Sequence, residues 1–141
     1  MNTSAKATDL VSIVGLVEPV AGSSTYTTGW NYAGGSTSWL ALVTAGAVTG
    51  TVDAKIEQAS DSSGTGAKDL TSSDITQLTA AGSATIEFRA NDLDNANDFT
   101  HIRLSITTSN AADVAAGALI ATCPTNAPLA DAAKIDEVVS L

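Results

Sequence analysis

Three stretches of the chain alternate apolar and polar residues with a period of two, and this pattern most constrains what it can fold into. In the first, Val52, Ala54, Ile56 and Gln58 fall on one side and Asp53, Lys55 and Glu57 on the other. In the second, Ala84, Ile86 and Phe88 oppose Thr85, Glu87 and Arg89. In the third, Ile102, Leu104 and Ile106 oppose His101, Arg103 and Ser105. A strand with one face on a core and the other in water produces this period. Antiparallel sheets show it most cleanly, because only one of their faces needs covering. The segment from Thr51 to Thr108 therefore reads strand, loop, strand, acidic loop, strand.

The flanking sequence adds more strands and almost no helix. Leu10 to Val17 is rich in β-branched residues and ends at Glu18-Pro19. It predicts a first strand, either at a sheet edge, where proline is tolerated, or paired with a neighbouring subunit. Beyond the turn signal Gly22-Ser23-Ser24, Tyr26 to Tyr32 predicts a second strand with Tyr26, Thr28, Trp30 and Tyr32 on one face. Trp39 to Val43 is apolar on both faces, which fits a central strand covered on both sides or one facing a partner. The single helical signal is Ser72-Ser73-Asp74 ahead of Ile75 and Leu78, a cap for one helical turn. Val114 to Ile120 predicts a last core strand, since Gly117 and Pro124 leave little room for a packed helix. About eight short strands, with turn signals at roughly ten-residue spacing, predict an all-β fold. The expected architecture is an antiparallel β-sandwich with extended N- and C-terminal arms. Residues 1–25 would form an arm and first strand, 26–123 the sandwich core and 124–141 a C-terminal arm.

Composition narrows the partners. At 141 residues the chain suits one domain with a substantial core. Its formal net charge is −9, and Lys6, Lys55, Lys68, Arg89, Arg103 and Lys134 form no cluster. A nucleic-acid partner is not expected, because binding one requires cations that displace condensed counterions. An anionic membrane surface is disfavoured for the same reason. No apolar run reaches the roughly 18 residues of a spanning helix, and Met1 to Asp9 lacks signal-peptide character. The expectation is a soluble chain made in the cytoplasm. Cys123 stands alone, so no internal disulfide or multi-cysteine metal site forms, and a small buried apolar role is expected for it.

Motifs that would carry chemistry are incomplete. Gly64-Thr65-Gly66-Ala67-Lys68 resembles a phosphate loop, but Ala67 separates Gly66 from Lys68 and Asp69 replaces the required hydroxyl residue. Asp92, Asp94, Asn95, Asn97 and Asp98 offer hard oxygen ligands, yet the sixth and twelfth positions of a calcium loop hold Asn97 and Arg103. An irregular calcium site stays open beside the simpler reading, a solvated turn built on Asx hydrogen bonds. His101 falls on the polar face of its strand, and no glycine-framed nucleophile accompanies it. The chain is expected to be no enzyme and to carry no cofactor and no metal.

Three segments together resemble a family of small structural proteins of tailed bacteriophages. They are Thr28-Gly29-Trp30, the strand from Val52 to Ser60 running into Asp61-Ser62-Ser63-Gly64-Thr65-Gly66-Ala67-Lys68-Asp69-Leu70, and Leu93-Asp94-Asn95-Ala96-Asn97-Asp98-Phe99-Thr100-His101-Ile102-Arg103. The resemblance covers most of residues 26–122 and rests on turn and strand signatures. It implies a virion component: a capsid decoration (cement) protein on the capsid surface that binds the major capsid protein as a trimer or dimer. A head-to-tail connector or tail protein is the nearer alternative, and a carbohydrate- or calcium-binding adhesin-type sandwich the more distant one. In the decoration reading the apolar segments at the two ends pair with capsid subunits by strand addition. The residues expected to do so are Leu10, Val11, Ile13, Val14, Leu16, Val17, Ile135, Val138, Val139 and Leu141.

Overall fold

A computed structural model describes residues 10–124. Among them nine strands follow in order: β1 (Val11–Ala21), β2 (Thr25–Thr27), β3 (Asn31–Tyr32), β4 (Ser36–Ala45), β5 (Val52–Ala59), β6 (Lys68–Asp69), β7 (Gly82–Arg89), β8 (His101–Thr108) and β9 (Val114–Pro124). The first sheet has the order β1-β9-β4-β7, the second β2-β8-β5-β6 with β3 also on β8. Every pairing is antiparallel. The two sheets pack face to face, so the chain is the all-β sandwich that the alternation predicts.

The three alternating stretches become β5, β7 and β8, with their apolar sides inward. Ala54 and Ile56 of β5 lie opposite Ile106 and Leu104 of β8 across the ladder, and Val52 and Ile102 are buried with them. The first sheet answers with Trp39, Ala41 and Val43 of β4, Ile86 and Phe88 of β7, and Ala115, Leu119 and Ala121 of β9. Trp39 and Phe88 are directly opposite each other and stack with ring centroids 6.4 Å apart. The expected core strand at Val114 to Ile120 is thus the first part of β9.

Two expectations are corrected. The stretch Tyr26 to Tyr32 is not one strand with one face. Along β8 the register shifts by one residue between β2, where Tyr26 pairs with Ile106, and β3, where Tyr32 pairs with His101. Gly29, at φ +79°, makes the kink. A one-residue slip exchanges the two faces of a strand, so Tyr26 packs against the core while Tyr32 stands in solvent. Thr28 keeps the ladder joined across the kink by exchanging hydrogen bonds with Leu104 through its backbone N–H and its hydroxyl, each 3.1 Å long.

The second correction concerns Ser72 to Leu78, which forms no helical turn. It lies extended along β5, whose edge needs partners for its backbone groups. Leu70 N–H donates to Ile56 O, Ile75 N–H donates to Ala54 O, and Val52 and Leu78 exchange both their backbone bonds. Ser73 fills the gap between these with its side chain. Its buried hydroxyl accepts from Ile56 N–H at 3.0 Å and donates to Ile56 O at 3.1 Å. The residues that looked like a helix cap therefore cap a strand edge. Helical geometry among the described residues is confined to 3-10 turns at Ala33–Gly35, Ala90–Asp92 and Asn95–Asn97.

β1 belongs to the sandwich: it pairs with β9 from Val11 to Ala21, and Val17 is buried. The expected C-terminal arm and the side chain of Cys123 lie outside the described residues. Removing the Ser73 hydroxyl leaves the buried Ile56 N–H without its partner, so Ser73→Ala is expected to cost about 1–3 kcal/mol. Urea unfolding of variant and parent checks this; an unchanged midpoint would mean that the edge is held without it.

Candidate interaction surfaces

The residues expected to meet a partner divide three ways. Leu10 and Val11 are exposed, Ile13, Val14 and Leu16 are half-buried, and Val17 is buried in the core. Val14 packs against the core cluster. Ile135, Val138, Val139 and Leu141 lie outside the described residues. What β1 does contribute is one border of an apolar sheet face. Leu16, Ala118 and Leu42 share one row across β1, β9 and β4, and Ile13, Ile120 and Leu40 share the next. Leu42 is 37% exposed. A shallow groove of about 340 Å³ runs over this face between Leu16, Leu42 and Ala118, with Glu18 at its rim. This explains why Trp39 to Val43 reads as apolar on both sides: one side is core, the other is this outer face.

The outer face of the second sheet is the opposite in character. Lys55 Nζ lies 2.7 Å from Asp69 and 3.6 Å from Glu57, and Arg103 Nε lies 2.6 Å from Glu57. The hydrogen bond to Asp69, ahead of the neighbouring charges, raises the Lys55 pKa above its ordinary value. Arg103 in turn covers the Trp30 ring, 4.4 Å from its centroid. Trp30 fits against Gly64, where a Cβ would stand 2.5 Å from the indole nitrogen and where φ is +84°. At the β3 end Tyr32 is 62% exposed, its ring lying over Gly34 and tilted against His101 at 5.6 Å. A cleft of about 450 Å³ occupies the other end, lined by Asp53, Lys55, Asp74, Ser105 and Thr107.

Both loops singled out for possible ligand chemistry bind themselves. Asp61 Oδ1 accepts from Ser63 N–H at 2.9 Å and Thr65 N–H at 3.1 Å, and bonding to Thr65 holds its carboxyl below the ordinary range. Lys68 pairs with Asp94 and lies 4.3 Å from the Phe99 ring centroid. The Lys68 hydrogen bond, then that of Asn97, depresses the Asp94 pKa. Asp92 accepts from Arg89 N–H at 2.8 Å. Among the described residues no group of three or more His, Cys, Asp or Glu side chains stands close enough to hold a metal ion. His101 Nδ1 is 3.0 Å from the Thr100 hydroxyl.

One residue carries more structure than its sequence context signals. Asp113 is fully buried. Its Oδ1 accepts from Thr49 N–H at 2.7 Å and Gly50 N–H at 2.9 Å, and its Oδ2 from Asn110 N–H at 2.9 Å. The carboxylate thereby ties the β4–β5 loop to the β8–β9 loop. Those amides, Gly50 first, hold its pKa below the ordinary value against the cost of burial. In the sequence it is one more acid in Asn110-Ala111-Ala112-Asp113, with no periodicity to single it out.

No family model matches the chain. No curated protein matches it. Distantly similar solved structures include the following two. One is the CBM22-1–GH10 part of xylanase 10B from Clostridium thermocellum, solved with xylohexaose, at 16% identity and TM-score 0.42 over 88% of this chain and 28% of that one. The other is a Bacillus endospore appendage, a disulfide-linked pilus, at 17% identity and TM-score 0.35 over 87% of this chain and 99% of that one. With both TM-scores below 0.5, neither likeness bears on function.

Because the folded pKa of Asp113 is depressed, its stabilising effect is present above the unfolded carboxylate value of about 4 and is lost as pH falls through the folded value. Asp113→Asn should therefore melt below the parent at pH 7, and the gap should narrow steadily below pH of about 4. Melting curves across pH 2–8 check this. A gap independent of pH would assign the effect to shape and not to charge.

Proposed function

We propose that the chain is a structural protein of a tailed-bacteriophage particle, a capsid decoration protein that binds and stabilises the major capsid lattice as a homo-oligomer. The observation that carries this reading is the contrast between the two outer sheet faces. One is closed by ion pairs among Lys55, Glu57, Asp69 and Arg103, the other offers rows of Leu, Ile and Ala side chains to water. A contiguous apolar face is a feature of surfaces that meet another protein. A protein that engages the assembled shell and not its free subunits stabilises the shell by mass action, and many copies multiply a modest contact. The sequence resemblance to phage structural proteins supports the same reading, with a connector or tail station as its nearest rival.

A second reading, a glycan-binding sandwich, is favoured by one observation. Tyr32 presents an exposed ring beside His101, and aromatic rings are the usual contact for apolar faces of ligands. An oligosaccharide that raises the melting temperature of the parent but not of Tyr32→Ala would support it; no rise with any glycan tested would remove it.

The decoration reading predicts that the chain co-sediments with assembled shells and raises their melting temperature. Replacing Leu42 by Lys on the apolar face should leave the chain folded and weaken shell binding about 10- to 100-fold, the loss expected for one buried leucine. Parent-like binding by Leu42→Lys would exclude this face. Failure to bind shells, with assembly only on tail parts, would move the protein to the connector or tail.

A further inference from the structure

The two sheets have four edges, and three of them are blunted. β1 is broken by register shifts between Ile13 and Gly15 and between Val17 and Val20, and it carries Pro19. The β2–β3 edge consists of three- and two-residue pieces separated by the kink at Gly29. The edge of β5 is capped by β6 and by residues 70–78. β7 differs from all of these. It pairs with β4 in unbroken register from Ala45↔Gly82 to Ser38↔Arg89 and contains no proline and no bulge; its charges are Glu87 and Arg89, and only at its end, where Asp92 accepts from Arg89 N–H, is a described side chain bonded to its backbone. Among the described residues nothing pairs with its other side. Such an edge is a template for another strand, and proteins ordinarily protect it with the devices found on the other three.

The space beside this edge has the shape and charge of a binding groove. A cleft of about 460 Å³ runs between β7 and residues 72–78. Ile75, Leu78 and Ile86 supply apolar lining, while Asp74 and Glu87 are exposed. No lysine or arginine lines it. A second copy of this chain fits poorly, since it would bring its own Glu87 and another net charge of −9 to an acidic groove.

We propose that the free edge of β7 accepts an extended, basic segment of a partner protein as a fifth strand of the first sheet. Backbone hydrogen bonds to β7 supply affinity, and alternate side chains supply selectivity. Apolar residues of the incoming strand face Ile75, Leu78 and Ile86, and lysine or arginine at the intervening positions faces Asp74 and Glu87. The inference concerns the edge alone and does not depend on the particle to which the chain belongs.

Two blocked nine-residue peptides test it, one alternating lysine with valine and threonine, the other carrying glutamate at each lysine. They are titrated into the isotope-labelled full chain at low salt, with amide shifts and hydrogen exchange read by NMR. The lysine peptide should shift resonances of residues 72–89, slow exchange along β7, and bind about 10-fold more tightly than the glutamate peptide. The double variant Asp74→Lys, Glu87→Lys, altered only at exposed positions, should reverse that preference. Several results would overturn the proposal: no binding by either peptide, equal binding of both, shifts spread over the acidic surface, or a preference that survives the double variant. So would uniform protection of β7 amides before any peptide is added, because the edge would then already be taken by the chain's own termini or a second copy.

Discussion

The spacing of the two sheets depends on one close approach between β8 and β9. Ile102, Leu104 and Ile106 of β8 are fully buried, and opposite them β9 presents Ala115, Gly117 and Ala121 beside a single large residue, Leu119. A Cβ on Gly117 would stand 2.7 Å from Ile106 Cδ1, 2.8 Å from Leu104 Cδ2 and 3.0 Å from Leu42 O. Branched side chains on one sheet thus fill the volume that glycine and alanine leave open on the other, as close packing requires. Further along β4, the stacked Trp39 and Phe88 fill what these small residues cannot. The alanines of β9, good helix formers by propensity, are here held extended by their neighbours.

That shared layer also decides what the outside can be. Alternation leaves β5 and β8 with Asp53, Lys55, Glu57 and Arg103 outward; Glu57 pairs with both Lys55 and Arg103, and Asp53 accepts from the Gln77 side chain. On β4 and β9 the middle outward positions are Leu40, Leu42, Ala118 and Ile120, flanked by Ser38, Thr44 and Thr122, so the same geometry yields an apolar patch. A single sandwich therefore offers one surface suited to water and another suited to a neighbour. The edges repeat the contrast: Ser73 and Leu78 close β5, while among the described residues no strand pairs with the outer edge of β7.

Side-chain oxygens hold the ends of the sandwich together where strands stop. Asp113 satisfies amides from two loops, Asp61 those of its own turn, and Thr28 stands in for a backbone partner at the kink in front of β8. Each ties loop backbone that would otherwise lack a partner, and an amide–carboxylate bond is stronger than a neutral one. In the acidic loop Asp92 likewise accepts a backbone amide, that of Arg89, while Asp94 is engaged by the side chains of Lys68 and Asn97.

The sequence alone determined which side of β5, β7 and β8 faces inward, because a period of two is a property of successive residues and needs no knowledge of the neighbouring strand. It likewise determined the sandwich class and the apolar character of both sides of Trp39 to Val43. Only the tertiary structure decided that Tyr26 and Tyr32 face opposite ways, since a one-residue slip at Gly29 is invisible until β8 sets the register. Ser72 to Leu78 failed as a helix for a related reason. A serine followed by spaced apolar residues satisfies a helix cap and a strand edge equally well, and the unpaired backbone of β5 chose between them. Asp113 and the outer edge of β7 had no local signature, because both are defined by backbone groups from distant parts of the chain: amides that converge on Asp113 and a strand partner that, among the described residues, β7 lacks.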